Sequence, residues 1–179
     1  SKLQGERGVL QMGDDGFSVI ALRQGTVNGH SPRMRFDLIV NTMCKSARTT
    51  GRITVNNPAI WRPLIDVRDT SEAFLRAVEA DISVSGVFNV AKDNYTVGQV
   101  AERVAEALKR LTGRSTEIEV LHRHDLRNYK VDCAQARAVL GFSPQRDIED
   151  MVLSLHEHWE EYGDPDEELR DRELHLAPD

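Results

Sequence analysis

GFSVIALRQGTVNG, residues 16–29, is the most informative stretch of the chain. Phe17 to Leu22 is a short apolar run containing β-branched residues and bounded by glycines. A continuous run of this kind, rather than an alternation, reads as a strand buried on both faces, as in a parallel sheet. Gly25-Thr26-Val27-Asn28-Gly29 then falls at the strand's C-terminal end, where open α/β sheets bind ligands. Taken alone, the glycines read as those of a plain turn before they read as a site.

Working outward, residues 30–36 (HSPRMRF) are polar and basic. Phe36, Ile39, Val40, Met43, Cys44 and Ala47 then recur at helical spacing over 36–50, and Gly51 is placed to end that helix. RITVN (52–56) reads as a strand, and WRPLIDVRD (61–69) as an extended piece entering a helix with Ala73, Phe74, Ala77 and Val78 inward. GVFNVA (86–91) is a second buried strand. Thr96 and Gln99 form a capping box for a helix running to about Leu111. TEIEVLH (116–122) alternates as a strand, DCAQ (132–135) reads as a second capping box, and a final helix is expected over 147–162. Strands alternate with helices, which predicts α/β architecture.

The 179 residues carry 23 basic and 29 acidic side chains, a net charge of −6. Ten acids and only Arg170 and Arg172 lie in 157–179, so residues 1–156 hold 21 basic and 19 acidic groups. The acidity belongs to the tail, and from Gly163 on a mobile segment is expected. A pI near 5.5 without a clustered basic face argues against nucleic acid. No apolar run is long enough to span a bilayer, and no secretory leader is visible in residues 1–20. Cys44 and Cys133 are too few for a disulfide scaffold, which suggests a cytoplasmic chain.

No Ser-His-Asp set and no Gly-x-Ser-x-Gly elbow occurs. HRHD (122–125) and HEH (156–158) look like metal clusters, but His156 and His158, two apart on a helix, face different ways, and no metal site is read. Arg33, Arg35, Arg62, Arg123 and Arg127 lie in loops or at strand ends. Eighteen of the 23 bases are arginines, whose planar forks suit phosphate. Converging arginines would suit a diphosphate; each singly also suits a solvated surface.

Five stretches in order resemble the C-terminal half of an extended short-chain dehydrogenase/reductase of the nucleotide-sugar epimerase/dehydratase type. SKLQGE (1–6) resembles the end of the Tyr-x-x-Ser-Lys helix, and ALRQGTVNG (21–29) the Leu-Arg-x-x-Asn-Val-x-Gly-Pro strand and turn. WRPLIDVRD (61–69) resembles Arg-Asp-x-Ile-x-Val-x-Asp, and GVFNVAKDNYTVGQVAERVAE (86–106) the Phe-Asn-Val strand with its capped helix. DLRNYKVDCAQARAVLGFSP (125–144) resembles the tail motif Asp-x-x-x-Tyr-x-x-Asp-x-x-Lys-Ala-x-x-x-Leu-Gly-Phe-x-Pro.

The resemblance implies the last elements of a Rossmann-type doubly wound parallel sheet, in 1–30 and 66–92. It implies a small α/β substrate-binding region in 31–65 and 93–162, with 163–179 as tail. It implies an NAD- or NADP-dependent parent, a homodimer, acting on a nucleotide-sugar by transient oxidation of the sugar. Lys2 matches the active-site lysine, which contacts the nicotinamide ribose and lowers the pKa of a tyrosine. Gly25, Thr26 and Val27 match the turn beside the nicotinamide, with Thr26 where many members carry Asn. Arg62 matches an arginine on the substrate diphosphate, the alternative being a salt bridge to Asp66 or Asp69. Tyr129 matches a tyrosine on the nucleotide. His122, Arg123 or Arg127 matches a further arginine position, and Asp37 and Asn41 both lie on the helix approaching the sugar nucleotide.

The glycine-rich dinucleotide loop, the ribose-binding acid, the Ser/Thr and the Tyr have no counterpart in 1–179. The pattern is that of a chain beginning inside its active-site motif, expected to show no NAD-dependent turnover alone and to self-associate through uncovered apolar faces. Two other classes stay open. One is an extended reductase on a non-sugar carbonyl, with no diphosphate for Arg62 to meet. The other is a non-catalytic half-fold that pairs with a second chain.

Overall fold

The structure is a computed structural model that describes residues 1–121 and 127–162. Arg123 and His122, and the acidic segment 163–179, lie outside the described residues. The chain runs α1 (Lys2–Leu10), β1 (Ile20–Gln24), β2 (Thr26–Asn28), α2 (Ile39–Thr50), β3 (Arg52–Val55), β4 (Trp61–Asp66) and α3 (Val67–Glu79). It continues through β5 (Gly86–Val90), β6 (Asp93–Thr96), α4 (Val97–Thr112), β7 (Glu117–Val120), α5 (Ala134–Leu140) and α6 (Ile148–Glu157), then a 3₁₀ turn, Trp159–Tyr162. No helix among the described residues is long and apolar enough to cross a membrane.

The strands form three small sheets, mostly parallel. β1 pairs with β5, Ile20 opposite Gly86 through Gln24 opposite Val90. β4 lies between parallel β2 and antiparallel β6, and β3 pairs in parallel with β7. Gly25 is the junction between β1 and β2. Its N–H donates to the Val90 carbonyl at 2.8 Å, the last rung beside β5, and the next residue, Thr26, is already opposite Leu64 of β4. A Cβ at Gly25 would lie 2.9 Å from the Pro63 carbonyl oxygen. The glycine is therefore required by close backbone approach.

Two buried clusters hold the elements. The larger joins α2, β3, α4 and α6 through Val40, Ile53, Val100, Val104, Met151 and Leu155. The smaller joins β4, α3, β5 and the α5 region through Ile65, Ala73, Phe88, Val90, Leu140 and Phe142. Gly51 ends α2 as expected, in the left-handed conformation, and Gly113 and Gly141 do the same after α4 and α5. The Thr96 and Gln99 side chains cap α4 reciprocally.

Four local readings need correction. The first strand begins at Ile20; Phe17 sits in a turn bridging to Asp14 and is half exposed. The inner face of α3 is Asp69, Thr70 and Ala73, while Phe74 and Val78 are 52% and 82% exposed. The reason is polar. Asp69 turns inward to accept from Arg146 at 2.7 Å, and Asp66, fully buried, takes the Arg68 fork at 2.8 Å. Asp132 makes no box with Gln135 but accepts from the Ala134 N–H, with Cys133 as the N-cap. The final helix stops at Glu157 and continues only as the 3₁₀ turn. β6, whose polar sequence Asp93-Asn94-Tyr95-Thr96 carries no apolar run, is an additional strand.

Candidate functional site

The turn after β2 is built from amide side chains. The Asn28 carboxamide oxygen accepts from the Val40 N–H at 3.0 Å, satisfying one of the first N–H groups of α2, whose own N-cap, Leu38, has no side-chain acceptor. The Asn41 oxygen accepts from the Gly29 N–H at 3.0 Å, and its amide donates to the Arg35 carbonyl. These two buried asparagines lock the end of β2 and Gly29 to the start of α2. Asn41 is thus placed inward, with both ends of its amide on backbone, while Asp37 is exposed and takes the Arg35 fork.

Two adjoining clefts open beside this turn. The first, about 720 Å³, is walled by Lys2 and Glu6 of α1, Arg23 of β1, and Gly25, Thr26 and Val27. The second, about 510 Å³, includes Asp37, Asn56, Asn57, Arg62 and Arg127 in its walls. Thr26, Arg35 and Leu38 belong to both. Every residue expected at the cofactor lies on the first cleft. Of those expected at the substrate, Asp37, Arg62 and Arg127 lie on the second; Asn41 is buried and lines neither. Tyr129 is half exposed and outside both walls, its N–H donating to the Trp61 carbonyl at 3.4 Å.

The positions of the cations have local causes. Both Glu6 oxygens accept from Arg23, at 2.8 and 2.6 Å, a fork that docks α1 on β1. Lys2, one turn earlier on the same face, then lines the cleft. Asp66 pairs with Arg68 and Asp69 with Arg146, and the Arg62 guanidinium donates to the Trp61 carbonyl at 3.0 Å on the cleft wall. The segment carrying Arg127 is pinned to the same strand: the Asn128 oxygen accepts from the Trp61 N–H at 2.9 Å, and Lys130 lies 3.4 Å from the Trp61 ring centroid. Arg35, one of the loop arginines named from sequence, lines both clefts. Asn128 and Trp61 were not singled out from sequence as parts of this site; they act through backbone and ring contacts that no spacing rule announces.

The Arg23 hydrogen bond is the main reason the Glu6 carboxyl titrates below its ordinary value. A depressed folded-state pKa stabilises at pH above the unfolded value and is lost as pH falls through the folded value. The docking of α1 should therefore persist at neutral pH and loosen below the usual carboxylate range. The protection of amides 2–10, taken as exchange relative to the intrinsic rate at each pH, should fall there in the native chain and already be low at pH 7 in Arg23→Ala.

A separate hollow of about 540 Å³ lies between the C-terminal ends of α2 and α4, near Arg48 and Arg114, and holds none of the expected residues.

No protein-family model matches the sequence. Solved structures do match. The Helicobacter pylori ADP-L-glycero-D-manno-heptose-6-epimerase is similar at 19% identity and a TM-score of 0.71, over 88% of this chain and 49% of its own. MoeE5, solved with UDP-glucuronic acid and NAD, is similar at 25% identity and a TM-score of 0.69, over 86% of this chain and 52% of its own. The Bacillus cereus UDP-glucuronic acid 4-epimerase, also solved with UDP-glucuronic acid and NAD, is similar at 20% identity and a TM-score of 0.66, over 79% and 45%. The fold is that of part of a Rossmann-type short-chain dehydrogenase/reductase. The chain spans about half the length of these structures. Within this reductase fold, the two clefts lie where β1, β2 and β4 meet at the Gly25 junction.

Proposed function

We propose that this chain is the substrate-binding part of an NAD(P)-dependent enzyme that epimerises, dehydrates or reduces a nucleotide-activated sugar. The observation that supports it best is the sharing of Thr26, Arg35 and Leu38 between the Lys2 cleft and the Arg62–Arg127 cleft. A ligand with a sugar at Thr26 and a diphosphate toward Arg62 would run across both.

The first cleft suits a nicotinamide ribose: Lys2 supplies a cation, the Gly25 junction brings backbone close, and Leu22, Val27 and Leu38 offer apolar wall. A bound nicotinamide would supply the hydride acceptor. Lys2 would hydrogen-bond the ribose and favour an ionised acid/base group nearby. Arg62 and Arg127 would meet the diphosphate with charge-assisted hydrogen bonds, and Asp37, held by Arg35, would border the sugar. Leu38 and Ile39 would exclude water from one wall.

The test is titration of UDP-, ADP-, dTDP- and GDP-sugars against the protein and Arg62→Ala. Binding of at least one nucleotide-sugar, weakened in the variant, is expected. A chain that binds none, or an Arg62→Ala variant that binds equally, would count for a non-sugar carbonyl substrate instead.

A further inference from the structure

The HEH triplet, set aside on helical geometry, separates as expected: His156 meets Arg48 on α2, while His158 turns to the opposite side. There it meets His30, from the loop after β2, ring centroids 3.8 Å apart. Glu161, on the 3₁₀ turn, completes a group whose ligand atoms all lie within 4.8 Å of one another. Among the described residues it is the one such group of three. We propose that His30, His158 and Glu161 form a binding site for a divalent transition-metal ion of the zinc type.

The chemistry of the donors supports this. Two imidazoles and a carboxylate are a borderline-soft set, suited to zinc rather than magnesium or calcium. Each imidazole already has its other nitrogen engaged. His158 Nδ1 lies 2.9 Å from the Ser154 carbonyl, which can only accept, so Nδ1 carries the proton and Nε2 its lone pair. His30 Nδ1 lies 2.9 Å from the Tyr162 hydroxyl, and in the ligating tautomer Nδ1–H donates to that oxygen. Such outer partners fix the ring tautomers at metal sites.

The donors must still close. Around a tetrahedral ion with bonds near 2.0–2.1 Å, donor atoms stand about 3.3 Å apart. The two rings are within 11° of parallel and must tilt to point at one ion. Glu161 is exposed and can swing inward. With three protein ligands, a fourth position would be left to water. A site needing this adjustment is expected to bind in the micromolar range.

Calorimetric titration of zinc chloride into the purified chain tests the proposal. One ion per chain is expected. His158→Gln and His30→Gln should each weaken binding by more than about tenfold, and Tyr162→Phe by about tenfold through the tautomer. A His122→Ala/His124→Ala double variant should bind as the unmodified chain does. Unchanged circular dichroism identifies variants that remain folded. Absence of saturable binding would overturn the proposal. So would binding indifferent to His158 and His30, or binding lost in the His122/His124 variant. None of these outcomes bears on nucleotide-sugar binding.

Discussion

Gly25→Val is expected to destabilise the protein by about 3 kcal/mol, at the upper end of what overpacking costs. The first added atom would lie 2.9 Å from the Pro63 carbonyl oxygen, 3.1 Å from its carbon and 3.3 Å from the Ala91 Cβ. Two of these are backbone atoms of β4, which cannot rotate aside as a side chain would. Gly25 lacks a positive φ, so the cost is steric and not conformational. Relief requires β4 to move from β2, which would disrupt the pairing of Thr26 with Leu64 and open the wall shared by both clefts. For a chain of this size the melting temperature should fall by about 10 °C. Gly8→Ala is the contrast. Nothing lies within 4 Å of its Cβ, and in the interior of α1 alanine should stabilise by up to about 1 kcal/mol. A Gly25→Val protein as stable as Gly8→Ala would contradict the close packing at the junction.

Arg62→Ala is expected to lower the affinity for a nucleoside diphosphate by about 10- to 100-fold, the worth of one or two hydrogen bonds to charged oxygens. The guanidinium donates to the adjacent Trp61 carbonyl on a cleft wall, and a thermal melt of the variant separates any loss of stability from the loss of affinity. Arg62→Lys should recover part of the loss: it keeps the charge but not the planar fork. Nucleosides without phosphate should bind Arg62→Ala and the unmodified chain alike. Equal loss for nucleoside and diphosphate would mean that Arg62 shapes the cleft and does not read phosphate.

Much of the fold was legible because periodicity and stop signals agree. The α2 stripe from Val40 to Ala47, the Thr96–Gln99 box and the glycines at 51, 113 and 141 each have a local physical cause. What sequence obscured was polar burial. Asp69 and Thr70 face inward on α3 because Arg146 arrives from a segment 77 residues away, and so Phe74 and Val78 face outward. Asn28 and Asn41 look like ordinary polar residues but lock the turn to α2. At the candidate site, the grouping of Lys2, Gly25, Thr26 and Val27 on one cleft wall was legible through the motifs in which they occur. The convergence of Arg62 with Arg127 was not, since it depends on Asn128 pairing with Trp61 across 67 residues.

The most direct test of the central reading is ¹⁵N chemical-shift mapping of the chain during titration with UDP-glucose, UDP-glucuronic acid and the corresponding ADP-, dTDP- and GDP-sugars. The predicted result, for at least one of them, is saturable shifts concentrated at Thr26, Arg35, Asp37, Arg62 and Arg127, and absent in Arg62→Ala. Shifts that appear for none, or that gather instead in the hollow beside Arg48 and Arg114, would contradict it.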